Sequence, residues 1–197
     1  MRRIIVGITG ATGAIFGVRL LEALHAADIE THLVVSKWGQ QTIEHETGIT
    51  AQQLKDRASV YHGTSNMAAT ISSGSFHTEG MVIAPCSMRT LAGIAHGYGE
   101  SLVHRAADVV LKERRKLVLI PRETPLSEVH LENLLKLARM GAAIVPPMPA
   151  FYNRPQTIDD IVDHVVARAL DQFGISAEFA KRWDGQMGHA GAVQRLK

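Results

Sequence analysis

The 197-residue sequence contains one cysteine, Cys86. A lone thiol cannot close an intramolecular disulfide or build a thiolate zinc site by itself, which fits a reducing, cytoplasmic compartment. Aromatic residues make up only 5% of the chain, and no apolar run approaches the ~20 residues of a membrane span, so no membrane segment is expected. The N-terminus enters an apolar run directly, without the pattern of a secretory leader. Charge of one sign is lacking too. Twenty-one Lys and Arg against 19 Asp and Glu leave a formal charge of +2, scattered along the chain, which argues against a nucleic-acid footprint. The short run Lys112-Glu113-Arg114-Arg115-Lys116 reads as a solvated helix end. Ten histidines form no H-x-x-x-H or H-E-x-x-H pair; no metal is expected, and most are read as surface or packing residues.

Apolar runs of strand length recur at 3–8, 31–35, 81–85, 117–121 and 142–146. Helical periodicity lies between them, over 13–27, 37–47, 88–96, 101–115, 126–140 and 157–173. Near-continuous apolar strands such as Met81-Val82-Ile83-Ala84 are buried on both faces, so the alternation predicts a doubly wound parallel α/β sheet. The polar stretch Tyr61 to Thr78 is assigned no element, and its Ser72-Ser73-Gly74-Ser75 cluster is either a plain loop or a second anion-holding turn. One domain is expected over 1–175, with a C-terminal tail over 176–197 that leaves the core and contacts a neighbouring subunit.

The first strand runs into Gly7-Ile8-Thr9-Gly10-Ala11-Thr12-Gly13-Ala14 and then into an apolar helical face of Ile15, Val18, Leu21 and Leu24. Glycines admit a close approach, Thr9 and Thr12 add hydroxyl donors, and a helix N-terminus presents unpaired N–H groups, so this turn points to a phosphate. No Gly-Lys-Ser/Thr follows, which removes the Walker loop. Strand two ends in Ser36-Lys37 where a nicotinamide dinucleotide site would place an acid, so a mononucleotide fits better. Tyr61, Tyr98 and Tyr152 are followed four residues on by Ser65, Leu102 and Gln156, so the Tyr-x-x-x-Lys of a short-chain dehydrogenase is missing.

In a doubly wound fold, chemistry belongs at the carboxyl ends of the strands. Polar residues gather there: Gly10-Ala11-Thr12, Ser36-Lys37, Cys86-Ser87-Met88-Arg89-Thr90 and Arg122-Glu123. Cys86 itself reads as a small buried hydrophobe rather than a nucleophile. Arg105, Asp108 and Lys112 share one helix face, a pattern as common in a solvated ion-paired stripe as in a site. The segment Val145-Pro146-Pro147-Met148-Pro149-Ala150-Phe151-Tyr152 cannot continue a central strand; it is a shaped loop that delivers Tyr152 and, one helix later, Arg168. A phenol and a guanidinium are suited to a second phosphate.

Taken in order, the glycine loop, Ser72-Ser73-Gly74-Ser75-Phe76, Pro85-Cys86-Ser87-Met88-Arg89-Thr90-Leu91, Arg105-Ala106-Ala107-Asp108, Arg122-Glu123-Thr124-Pro125-Leu126 and Pro146-Pro147-Met148-Pro149-Ala150-Phe151-Tyr152 give the chain a nearly full-length resemblance to a family. It resembles the UbiX-like flavin prenyltransferases, which include the small subunit associated with bacterial phenolic-acid decarboxylases. The resemblance implies a Rossmann-like or flavodoxin-like three-layer sandwich that binds FMN and assembles into a homododecamer. It implies transfer of the dimethylallyl group of dimethylallyl phosphate to N5 and C6 of reduced FMN, without a metal, giving prenylated FMN for a partner UbiD-type decarboxylase. Gly10, Ala11, Thr12, Ser36, Ser87, Met88, Arg89, Thr90 and Arg122 would hold FMN. Tyr152 and Arg168 would bind dimethylallyl phosphate, with Lys112 and Arg122 near its phosphate; Glu46 and Glu123 would be the acidic groups at the reacting centre, and Trp183 a wall donated by another subunit.

Those residue types suit the chemistry. Breaking an allylic C–O bond builds charge on the departing phosphate, which prepositioned Lys and Arg stabilise, while aromatic faces shelter the allyl cation. The proton lost from C6 passes to Glu123 or to the released phosphate. Thr12 stands where the family more often has serine and Arg89 where it has lysine, and both substitutions keep a donor. Two other readings remain: an FMN-dependent cysteine-type decarboxylase, which is expected to carry a catalytic His and a Pro-Ala-Ser-Ala-Asn segment where this chain has Pro85-Cys86-Ser87-Met88-Arg89, and a non-catalytic flavin carrier subunit.

Overall fold

The computed structural model describes residues 2–183 and Gly185. In chain order the elements are β1 (Arg3–Ile8), α1 (Ala14–Ala26), β2 (Glu30–Val35), α2 (Lys37–Thr47), α3 (Ala51–Lys55), β3 (Val60–His62), β4 (Gly80–Cys86), α4 (Met88–Ala95), α5 (Leu102–Lys112), β5 (Lys116–Pro121), α6 (Glu128–Arg139), β6 (Ala143–Ile144) and α7 (Ile158–Asp171). Single 3-10 turns occur at Thr70–Ser72 and Phe151–Asn153.

The six strands form one sheet in the order β3-β2-β1-β4-β5-β6, and every pairing is parallel. The order reverses at β1, which has β2 on one side and β4 on the other, so a crevice opens between the loops that leave β1 and β4. Side chains of β1 alternate between two cores, as the strand period requires. Ile4, Val6 and Ile8 pack with Val18, Leu21 and Leu24 of α1 and Val166 and Leu170 of α7. Ile5 faces the other way, with Leu91 of α4 and Val103 and Val110 of α5. The helices therefore cover both faces, and the strands they cover are buried nearly end to end.

Two elements escape the sequence pattern. β3 has only three residues at the sheet edge, and two of them, Tyr61 and His62, carry polar groups. α3 is one turn held by a capping box, with Thr50 accepting from Gln53 and the Gln53 side chain returning to the Thr50 N–H. β6 is shorter than its apolar run because Pro146 and Pro147 cannot donate to a ladder. The run Lys112 to Lys116 is only partly a solvated helix end. Arg115 donates to the carbonyls of Gly74 and Phe76, and Lys116 already belongs to β5. After α7 the chain stays on its own core: Ala177 is buried and Ala180 packs beside it. Residues 184 and 186–197 of the expected tail lie outside the described residues.

Candidate active site

The loops at the carboxyl edge of the sheet are tied together by Thr9. Its hydroxyl donates to the Pro85 carbonyl at 2.8 Å and accepts from the Ser87 N–H at 2.8 Å, joining the end of β1 to the start of α4. Thr9 is 1% exposed, so its hydroxyl is used inside the protein and does not meet a ligand, contrary to the role expected for it. Ser36 and Ser87 cap the two flanking helices: Ser36 Oγ accepts from Gly39 at 3.0 Å and Ser87 Oγ from Thr90 at 3.3 Å. The first N–H groups of α2 and α4 have no intrahelical acceptor and open on the same edge. Gly10 lies between them, where a Cβ would fall 2.5 Å from Trp38 Cβ; only a bare backbone fits this close approach.

The glycine loop itself holds an anion that belongs to the chain. Glu46, near the end of α2, accepts from the N–H groups of Gly13 at 2.9 Å and Ala14 at 2.8 Å, and also from the Thr12 hydroxyl. Gly13, with φ of 94°, adopts the left-handed backbone that brings this turn into α1. The N-terminus of α1, read from the sequence as a phosphate seat, is thus filled by a carboxylate, and the first-turn N–H groups of α2 and α4 are the ones facing outward. Thr90 is buried and its Oγ1 accepts from the Ser87 hydroxyl at 3.1 Å, a bond that leaves the Thr90 O–H as a donor. Met88 packs partly into the core. Arg89 reaches out to Glu100 at 3.1 Å with four-fifths of its side chain exposed. Arg122 and Glu123 follow β5 on this edge; the Arg122 N–H donates to the Cys86 carbonyl at 3.3 Å, and Glu123 accepts from the Thr124 N–H at 3.0 Å. Burial pushes the Cys86 thiol up to about 12, so at neutral pH it is no nucleophile.

Lys112 stands elsewhere. α5 runs back across the sheet to deliver the chain to the start of β5, and Lys112 lies four residues before Lys116, which pairs with Gly80, the first residue of β4. Arg122 follows the other end of the six-residue β5, so the backbones of Lys116 and Arg122 are about 20 Å apart along the strand and Lys112 belongs to the opposite edge of the sheet. The expectation that Lys112 and Arg122 flank one phosphate is therefore not met within a single chain; the parallel crossover separates them. Around Lys112 the structure gathers Glu113 at 2.5 Å, the Ser72–Ser75 turn, and Arg105, whose Nε donates to the Ser72 carbonyl at 3.1 Å and whose Nη1 pairs with Asp108 at 2.8 Å.

Tyr152 and Arg168 form a third station, along β6. Arg168 is about 15 Å into α7 and lines a groove of about 360 Å³ with Ile144, Pro146, Met148 and His164. The Tyr152 ring stands edge-on to His164 at 6.0 Å and to Trp183 at 5.6 Å. Trp183 thus meets Tyr152 of its own chain. The sequence reading passed over Asp171, which accepts from Arg168 at 2.6 Å, and Arg182, which pairs with Asp171 on its other side. Nothing in the local pattern of Asp171 and Arg182 distinguishes them from ordinary surface charges.

The Flavoprotein family model matches residues 1–170. A Streptomyces protein named "Probable UbiX-like flavin prenyltransferase" is 66% identical over 184 residues, covering 93% of this chain and 92% of that one. The chain belongs to the UbiX-like flavin prenyltransferases. The solved structure of a dodecameric FMN-dependent UbiX-like decarboxylase from Escherichia coli O157:H7 is 62% identical, with a TM-score of 0.91 over 93% of this chain and all of that one. The structure of AnUbiX (PadA1) in complex with FMN and dimethylallyl pyrophosphate is 49% identical, with a TM-score of 0.93 over 94% of this chain and 99% of that one. The flavin prenyltransferase family thus agrees with the fold and with the strand-end layout of polar groups.

Proposed function

We propose that this flavin prenyltransferase joins the dimethylallyl group of dimethylallyl phosphate to N5 and C6 of reduced FMN, and passes prenylated FMN to a UbiD-type decarboxylase. The carboxyl-edge crevice suits a flavin mononucleotide: two helix N-termini capped by Ser36 and Ser87, a bare backbone at Gly10, and the cations Arg89 and Arg122. Gly10, Ala11, Thr12, Ser36, Ser87, Met88, Arg89, Thr90 and Arg122 hold FMN in this reading, Met88 through its backbone. The reduced flavin supplies N5 and C6 as the positions that accept the prenyl group.

The chain's own residues prepare the donor. Tyr152 and Arg168 bind its phosphate, and Lys112 and Arg122 offset the charge that builds on the phosphate as the C–O bond breaks. Trp183 covers the allyl group with a π face, which favours a developing cation and excludes water. Glu46 is held by two backbone N–H groups and the Thr12 hydroxyl, so its carboxylate points in a fixed direction beside the flavin site. Glu123 or the departing phosphate takes the proton from C6.

One observation carries the architecture of this reading: Lys112, Arg122 and the Tyr152/Arg168 pair occupy three separate stations on one chain. A complete centre then forms between copies, in keeping with the dodecameric relative, and we take the chain as one FMN-binding unit over 1–175, followed by a 176–183 segment that packs on its own chain, in a cytoplasmic homododecamer. A second reading follows from the name decarboxylase borne by the 62% identical structure. The two separate in one incubation. Reduced FMN and dimethylallyl phosphate with the purified protein should yield a flavin heavier by one prenyl unit in mass spectrometry; recovery of unmodified FMN alone overturns the transferase reading.

A further inference from the structure

The segment after α7 doubles back as a strap over 176–183 and lands on the Tyr152/Arg168 station. Phe179 lies 5.1 Å from the Arg19 guanidinium, and the Lys181 carbonyl accepts from Asn153 at 3.0 Å. The next two residues then address one expected phosphate ligand each. Trp183 meets the Tyr152 ring directly. Arg182 reaches Arg168 through Asp171, the last residue of α7. Arg182 grips both oxygens of this carboxylate, at 2.7 and 3.0 Å, whereas Arg168 uses only Nη1, at 2.6 Å to Oδ2. Asp171 is the more buried member of both pairs, with its side chain 20% exposed against 53% for Arg168 and 47% for Arg182. Its carboxyl is held below the usual range, first by Arg182.

We propose that Asp171 is a positioning residue that couples docking of the 176–183 strap to phosphate binding at Arg168; this rests on the functional reading that Arg168 and Tyr152 receive the donor phosphate. With the strap docked, Arg182 occupies the carboxylate with a bidentate grip, and Nε and Nη2 of Arg168 are left for an anion in the groove. Two guanidinium groups and one carboxylate then leave a net positive charge at the station. With the strap lifted, Asp171 faces Arg168 alone, neutralises it and competes with the phosphate. Because linkage is reciprocal, a phosphate on Arg168 favours the docked strap and so brings Trp183 over Tyr152.

A double-mutant cycle tests this on the full-length, FMN-loaded protein with dimethylallyl phosphate, using Arg182→Gln, Asp171→Asn and the pair. Arg182→Gln should raise KM about tenfold with little change in kcat, and the effect should vanish when Asp171 is already Asn, because the competitor is gone. An Arg182→Gln effect of equal size in both backgrounds shows Arg182 acting on the phosphate directly and overturns the proposal, as does no effect at all. Inorganic phosphate should also protect the Lys181 peptide bond from trypsin in the wild type and in Arg182→Lys but not in Arg182→Gln. This arm decides the matter if Asp171→Asn does not fold, and equal protection of all three proteins counts against the coupling. Protection needs no turnover. A wild type that is protected yet makes no prenylated flavin sinks the functional reading and leaves the coupling standing.

Discussion

His32 and His62 form a buried pair whose geometry dictates where the protons sit. His32 Nε2 lies 2.9 Å from Glu30 Oε1, and a carboxylate only accepts, so this nitrogen carries a proton. In the neutral ring, Nδ1 of His32 is then the acceptor and His62 Nε2 donates to it across 2.9 Å. The rings stack at 5.2 Å, Phe76 stands edge-on to His32, and Arg3 completes the set by pairing with Glu30 at 3.0 Å. Burial, and then the proximity of His32, pushes His62 below its ordinary value of 6.5. His104 and His164 are lowered as well, each mainly by burial. A lowered folded-state value means that the unfolded chain binds more protons near pH 6.5, so this contribution to stability is complete above that pH and is lost as pH falls through it. The urea midpoint should therefore fall between pH 7 and pH 5. It should fall less in His62→Gln, whose amide still donates to His32; an unchanged slope would remove His62 from the account.

At the scale of elements, α1 is finished by a residue from α2. Glu46 does for the α1 N-terminus what an N-cap side chain does elsewhere, since Gly13 has no side chain to offer. Replacing it with Ala should cost about 1 kcal/mol in urea unfolding, and Glu46→Gln, which keeps an acceptor but not the charge, should cost less. Equal losses would make the charge irrelevant to the cap. This contact also shows where sequence reading stops. The loop's glycines, its hydroxyls and the helix that follows were legible from local spacing, and α2 appears over 37–47 as predicted. That a carboxylate 33 residues along would fill the loop depends on how α2 packs against α1, which no local pattern encodes. Likewise, the periodicity of α5 put Arg105, Asp108 and Lys112 on one face, while the direction in which α5 crosses the sheet decided which edge Lys112 reaches. β3 and α3 were missed because three and five residues carry too little periodicity to be read.

Across the whole molecule, the parallel pairing follows from the alternation of apolar runs and helices, and the gathering of strand-end loops on one edge follows from the sheet. The distribution of Lys112, Arg122 and Arg168 over separate stations does not, because it concerns how copies meet. It has a direct test. Lys112→Ala and Arg168→Ala should each be nearly inactive alone, yet oligomers reassembled from a mixture of the two should regain part of the prenyl-transfer rate, since some centres then draw an intact residue from each parent. Mixtures as inactive as the parents would mean that both residues serve a centre from the same chain.

The carboxylate in the glycine loop has one more consequence, for what holds the turn in shape. A nucleotide loop that relies on its ligand to satisfy its amides stays unformed until the ligand arrives. Here those amides are satisfied from within, by Glu46. The turn's geometry is therefore set by the contact between α1 and α2, and a ligand is not required to supply those bonds.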